Sequence, residues 1–325
     1  MKIVPLASDS MGTRSMATFV ETKDCNMLID PGVALGPSRY GLPPHPIEIE
    51  RMDVHWRNIK RYAKKADVLV VTHYHYDHHD PDEPRVYKNK TLLTKHPKKN
   101  INKSQKKRAA FFLKQLGDLP KRIEFSDGNE FSFGKTAIRF SKAVPHGTNT
   151  KLGYVTQVSI VDGREKFVHT SDVQGPSLDE QVQFLLDEKP KVIFCDGPMT
   201  YMLGYRYSYK SLEISVDNII RVIEETKIKK FALDHHFLRD LKWNERIDKA
   251  FKAAKKKKVK LMTLAEFAGE KNDILEARRK ELYGDKTKEK TKTKRKGKPK
   301  RRSSAKREGK TSRRGKSKGK VRTKE

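Results

Sequence analysis

The sequence predicts an α/β sandwich rather than a single parallel sheet. Short strand-like runs occupy the first thirty residues, a second set of strands fills residues 122–170, and from Ser177 onward strands and helical stretches alternate. A chain of 325 residues can bury one large core or two small ones.

Residues 2–6, 15–22 and 26–29 read as strands, and Asp30-Pro31-Gly32 closes the third as a turn. Ser8, Ser10 and Ser15 lie in turns, where serine hydroxyls usually satisfy backbone groups. Residues 37–46 form a Pro- and Gly-rich surface loop. Residues 53–65 read as a helix burying Val54, Ile59 and Tyr62, with His45 and His55 assigned to the surface or to packing. Residues 68–71 are a buried strand. Pro81 and Pro84 forbid a long helix directly behind the polar cluster that follows it.

Residues 91–94 read as a strand and 104–116 as a helix. Ala109, Phe112, Leu113 and Leu116 form its apolar stripe, and Lys106, Lys107, Arg108 and Lys114 a solvated basic face. Residues 122–125, 130–133 and 136–144 are strands, with Asp127-Gly128 as a hairpin signal and Pro145-His146-Gly147 at the last terminus. A hairpin over 154–161 and 165–170 turns at Asp162-Gly163 and delivers Ser171-Asp172. Ser177 to Glu180 fits a capping box opening a helix to Leu186. The strand over 192–195 ends at Asp196-Gly197, a helix covers 212–225, and the strand over 229–233 ends in Asp234-His235-His236. Residues 244–257 are helical with lysines at the negative pole of the dipole, and 258–262 form a last strand. A second capping box at Thr263 to Glu266 starts a helix to about Tyr283. The folded domain is therefore expected over residues 1–284, with a tail over 285–325.

The formal charge of +31 is uneven. Residues 286–325 hold 21 Lys and Arg against 3 Glu and no aromatic residue. Such a tail cannot offset its chain entropy by burial, so disorder is expected. It would attract nucleic acid or another polyanion in a salt-sensitive, sequence-independent way. Cys25 and Cys195 sit far apart in apolar runs, as expected of reduced, buried thiols. With no apolar stretch near eighteen residues and no basic-then-apolar leader, the expected location is cytoplasmic, away from membranes.

The densest chemistry follows the strand over 68–71. His73, His75, Asp77, His78, His79 and Asp80 lie within eight residues. On extended backbone His73 and His75 project from one face, and Asp77 and His78 add oxygen and nitrogen donors as the chain turns. Imidazoles mixed with carboxylates suit zinc, iron or manganese better than calcium or magnesium. Further polar residues stand at later strand ends: His146, Asp172, and His235 or His236.

His73-x-His75-x-Asp77-His78, then a lone His, a lone Asp and a final His, resemble the metallo-β-lactamase superfamily, and within it an archaeal branch of predicted hydrolases. The resemblance implies a four-layer αββα sandwich with two divalent metal ions at one sheet edge, zinc first, with iron or manganese as alternatives. It implies that His73, His75 and His146 hold one ion, that Asp77, His78 and His235 (alternatively His236) hold the other, and that Asp172 bridges them. Asp30 matches the superfamily's early strand-end Asp, which supports the metal loop by hydrogen bonds. His79-Asp80-Pro81 stands where many members have a Gly and then a helix, so the rim of the site differs. His79 and Asp80 are expected to be bystanders, and His169 to pack, with support of the metal-binding residues from behind as its alternative.

Two ions about 3.5–4 Å apart can share a hydroxide formed near neutral pH, and the resemblance implies that Asp77 orients it while binding metal. The expected function is thus metal-dependent hydrolysis of a phosphodiester or other ester. A nuclease or nucleic-acid-binding protein recruited through the tail, and an iron-dependent redox enzyme on the same fold, are the alternatives.

Overall fold

The structure is a computed structural model that describes residues 1–284, which form one compact unit. The expected disordered tail over 285–325 lies outside the described residues. Two sheets face each other, as the alternation of each central strand requires. The first sheet runs in sequence order through β1 (Lys2–Pro5), β2 (Thr18–Glu21), β3 (Asn26–Ile29), β4 (Val68–Val71), β5 (Thr91–Thr94) and β6 (Arg122–Phe125). From β3 to β6 its strands are parallel. Next come β7 (Glu130–Phe133), β8 (Thr136–Phe140), the short pair β9 (Val144–Pro145) and β10 (Tyr154–Val155), β11 (Val158–Asp162), β12 (Glu165–His169), β13 (Val192–Asp196), β14 (Lys230–Asp234) and β15 (Lys260–Met262). The second sheet orders them β15-β14-β13-β12-β11-β8-β7, with β12 to β15 parallel.

The helices are α1 (Pro46–Ala63), α2 (Lys103–Leu116), α3 (Asp179–Glu188), α4 (Tyr209–Glu225), α5 (Trp243–Arg246), α6 (Asp248–Lys257), α7 (Leu264–Ala268) and α8 (Leu275–Leu282). Three cores follow from strand periodicity. Val68 and Val70 of β4 meet Phe167, Phe194 and Ala232 between the sheets. Leu69 and Val71, one residue out of phase, pack against Ile59 and Ala63 of α1 and Ala109, Phe112 and Leu116 of α2. On the far side, Val168, Ile193 and Phe231 meet Leu185 of α3, Ile219 of α4 and Ala250 of α6. This is the four-layer αββα sandwich. No helix among the described residues is long and apolar enough to cross a membrane.

Several local expectations are corrected. The first helix begins at Pro46, not near residue 53. Proline at its first turn suits a helix, His45 caps it, and Glu48 accepts from the His45 N–H at 2.8 Å. Its buried face is His55, Ile59 and Ala63, while Val54 is exposed. Asp127-Gly128 does not make a hairpin, because β6 and β7 lie in different sheets and Asp127 instead holds Lys95 Nζ and the His96 N–H. Ser177 does not cap α3; the Gln181 side chain accepts from the Leu178 N–H. The last expected helix breaks into α7 and α8, with Gly269 at the end of α7 in left-handed backbone (φ 81°). Cys25 and Cys195 are free and buried, and burial, helped by Asp67 and Asp24, pushes the Cys25 thiol up to about 12.

The C-terminal helix is fastened to the body by ions. Arg279 forms two 2.7 Å bonds to Glu48 of α1, both groups fully buried, and also donates to the Gly36 and Leu42 carbonyls. Arg279→Ala would leave the Glu48 carboxylate buried without its cation. A loss of about 3–5 kcal/mol in unfolding free energy is expected by urea denaturation.

Candidate metal centre

The site lies where parallel strands of both sheets end. β4 stops at Val71, so His73 and its neighbours sit on the turn beyond the strand rather than on extended backbone. His146 follows β9, Asp172 follows β12, and His235 follows β14. These four elements bring donor atoms within 4.8 Å of one another in two main groups: His73, His75, His146 and Asp172; and Asp77, His78 and His235. Asp172 links them. Its Oδ1 is 2.9 Å from His78 Nε2, and its Oδ2 is 3.2, 3.4 and 3.5 Å from Nε2 of His146, His235 and His73. His235 Nε2 also faces Asp77 Oδ2 at 3.6 Å, and His146 Nε2 faces His75 Nδ1 at 3.1 Å. A third grouping joins His236 to Asp172 and His235, so His236 borders the centre but does not reach Asp77 and His78.

These donors fit a cation. Both Asp172 oxygens, His73 Nε2 and His78 Nε2 are buried and have no hydrogen-bond partner among the described residues. Atoms that close without hydrogen-bond alignment are aimed at shared points between them, and a mixed nitrogen–oxygen set of this kind suits zinc or iron.

Outside the donors stands a ring of residues that set imidazole orientation. Asp30 accepts from the Thr72 N–H at 2.8 Å, the Thr72 hydroxyl at 2.7 Å and His78 Nδ1 at 2.9 Å. Asp9 does the same for His235 Nδ1 at 2.8 Å and is itself held by Arg239 Nε at 2.8 Å. Asp196 takes His236 Nδ1 at 3.0 Å and the His236 N–H at 3.0 Å. His73 Nδ1 faces the Ser171 and Thr72 hydroxyls at 3.2 and 3.3 Å. Donation from Nδ1 leaves Nε2 bare toward the centre, the tautomer a metal ligand needs.

Of the residues expected as bystanders, Asp80 is half-buried and accepts from the Asp82 N–H. His79 is buried against Tyr74 and Phe112 and faces the His75 carbonyl, so it shapes the turn. His169 faces the Met16 carbonyl and accepts from the Ser171 N–H, which places Ser171 beneath His73. Gly32 is required by close approach, since a Cβ there would lie 2.3 Å from the His79 nitrogen.

Burial opposes every charge here, yet the partners decide the outcome. Burial drives His73 well below the usual imidazole range and His75 down to about 3. At His78 the Asp172 and Asp30 carboxylates outweigh burial and raise it well above that range. At His235 Asp172 and Asp9 outweigh burial and raise it to about 10. Against burial, His78 and His235 hold the carboxyls of Asp77 and Asp172 below the ordinary range.

Asp9 and Asp196 were not anticipated as site residues. Asp196 stands at a strand end, which was a usable signal; Asp9 lies in a serine-rich turn and reaches His235 across 226 residues, for which no local signal exists.

Comparison with known proteins places these residues among relatives. A model of the metallo-beta-lactamase superfamily matches residues 12–79. The chain is 56% identical over 284 residues to a UPF0282 protein of Korarchaeum cryptofilum, covering 87% of this chain and 94% of that one. It is 47% identical over 293 residues to a UPF0282 protein of Methanocaldococcus jannaschii, covering 87% and 96%. Among solved structures, the metallo-beta-lactamase fold protein YhfI from Bacillus subtilis aligns with a TM-score of 0.47 at 16% identity, covering 80% of this chain and 94% of that one. Unliganded yeast PDE1 aligns with a TM-score of 0.46 at 12% identity, covering 80% and 96%.

Asp30→Asn keeps the left-handed backbone at this position (φ 49°), which asparagine tolerates, while removing the charge behind His78. Affinity for added Zn²⁺ is expected to fall about 10–100-fold by competition with a chromophoric chelator.

Proposed function

We propose, from the premise that this chain belongs to the UPF0282 family of archaeal proteins with a metallo-β-lactamase fold, that it is a binuclear metal-dependent hydrolase of phosphodiesters or related esters. One observation carries the proposal. The buried carboxylate of Asp172 groups with His73, His75 and His146, also lies 2.9 Å from His78 and 3.4 Å from His235, and has no hydrogen-bond partner among the described residues.

His73, His75 and His146 would hold one ion, Asp77, His78 and His235 the other, and Asp172 both. Divalent ions there, zinc first, would supply Lewis-acid polarisation of the attacked group and a water acidified toward neutral pH. The chain's own residues do the rest. Asp77, held ionised by His78 and His235 against burial, accepts a hydrogen bond from the attacking water and orients it. Asp30 and Asp9 keep His78 and His235 in register, so the donors need no rearrangement during turnover. His75, Tyr76 and Asp77 are accessible, whereas His73, His78, His146, Asp172 and His235 are buried, so substrate approaches over the His75–Asp77 turn.

Metal analysis of the purified chain followed by a panel of bis(p-nitrophenyl) phosphate, RNA, lactone and thioester substrates tests this. The double variant His75→Ala, Asp77→Ala is expected to lose about 10²–10⁴-fold in rate. Undiminished turnover in that variant sinks the assignment.

Polyanion contact through residues 286–325 is the second part of the proposal, supported by their 21 basic residues. Deleting them is expected to weaken nucleic-acid binding and flatten its dependence on salt, read by titration at several ionic strengths. Binding that is unchanged would remove the tail as the contact.

A further inference from the structure

Nine cation–π pairs occur among the described residues, and five of them cluster on the segments around the metal centre. All five pair arginine with tyrosine. The Arg39 guanidinium lies between two rings, 4.7 Å from Tyr40 and 4.7 Å from Tyr201. Tyr201 in turn is 5.9 Å from the Arg239 guanidinium, whose Nη2 is 3.4 Å from both ring nitrogens of His235. An alternating stack thus runs from a metal-site histidine out to Tyr40 at the surface. A second stack begins inside the ligand turn, where Tyr76 stands between His75 and Asp77 with the Arg108 guanidinium 4.6 Å over its ring. Tyr205, on the segment after β13, pairs with Arg206 at 5.5 Å.

Exposure separates these rings from core packing. Tyr40, Tyr76 and Tyr205 are 47%, 44% and 77% accessible. Large aromatic faces left in water next to a reactive centre, each backed by a guanidinium, suit a ligand that is flat, π-bearing and anionic at once. Unpaired nucleotides have that chemistry. Each base offers a face to tyrosine, and each phosphate offers charge to arginine. Paired bases are already stacked and cannot present their faces. The charge agrees: only 21 of 72 Lys and Arg lie in the tail, so the folded body is itself basic.

We infer that the Tyr–Arg pairs around this centre form a stacking platform for single-stranded nucleic acid, which makes a single strand the substrate class. The inference rests on the proposed hydrolase site for its chemistry, but the platform is a binding device with its own readout.

The test uses the full chain and two labelled oligomers of about twelve units with phosphorothioate linkages, one oligo-dT and one abasic. Both carry the same charge, and moderate salt screens the tail. Anisotropy should show the base-bearing strand binding about tenfold or more tightly than the abasic one, and more tightly than a duplex of equal length. Tyr40→Ala, Tyr76→Ala and Tyr205→Ala should each reduce that preference about fivefold or more, while Phe at the same positions restores it. The Tyr40 hydroxyl bonds the Ala277 carbonyl at 3.1 Å, so the Phe variant also separates ring stacking from that structural bond. Equal affinity for base-bearing and abasic strands, or a preference that survives all three alanine variants, overturns the platform. A parallel RNA oligomer decides between ribose and deoxyribose strands. Turnover of bis(p-nitrophenyl) phosphate is read separately. A chain that hydrolyses this diester but ignores bases overturns the platform alone, and one that prefers bases but hydrolyses nothing on the panel overturns the hydrolase reading alone.

Discussion

Asp172 imposes the constraint from which the rest of the site follows. A carboxylate that is almost fully buried, with no hydrogen-bond partner for either oxygen among the described residues, is costly unless positive charge lies beside it. The protein surrounds it with His73, His78, His146 and His235. Burial disfavours protonating His73, His78 and His235, and these three answer unequally. His73 is pushed down, while His78 and His235, each backed by a second carboxylate, are pushed up. The backing groups Asp30 and Asp9 thus set ring orientation and electrostatic balance together. Neither task survives in isolation, because each backing carboxylate is itself held: Asp30 by Thr72, Asp9 by Arg239.

The fold supplies this arrangement through strand ends. Parallel strands in both sheets stop at one edge, and their last residues reverse direction at once. Asp30, Ser171 and His235 all take left-handed backbone, with φ of 49°, 56° and 58°. Each costs on the order of 1 kcal/mol for a residue with a Cβ. Three such residues at one edge mark backbone held against its preference to place side chains, and the three cores behind them supply the rigidity that holds it.

What could be seen in the sequence was local or periodic. The strand at Val68–Val71 and the polar turn after it are legible because apolar character ends within one residue of the cluster. Later candidate donors are legible as polar residues at strand ends, and their grouping came from resemblance rather than from spacing. Failures share a cause. The start of α1 was hidden by Pro43, Pro44 and Pro46, which read as loop until the cap at His45 is seen. Asp127-Gly128 looked like a hairpin because turn chemistry is local, whereas the partner of β6 is β5 in the other sheet. Asp9 acts on His235 across the whole chain, and Arg39 meets Tyr201 across a similarly long separation. Contacts of that kind depend on topology and leave no periodic trace.

The two sides of the centre are built differently, and this bears on how it can evolve. The closed side draws His146, Asp172 and His235 from three separate strands, so a change in any of them disturbs the charge balance around Asp172. The open side is one short turn, His75-Tyr76-Asp77, pinned from below by His79 against Phe112 and by the glycine at position 32. Tyr76 lies under the Arg108 guanidinium of α2 and beside the ring of His79. Candidate donors and an exposed aromatic ring thus alternate at adjacent residues, with the donor set fixed by buried electrostatics and the Tyr76 ring left at the accessible rim.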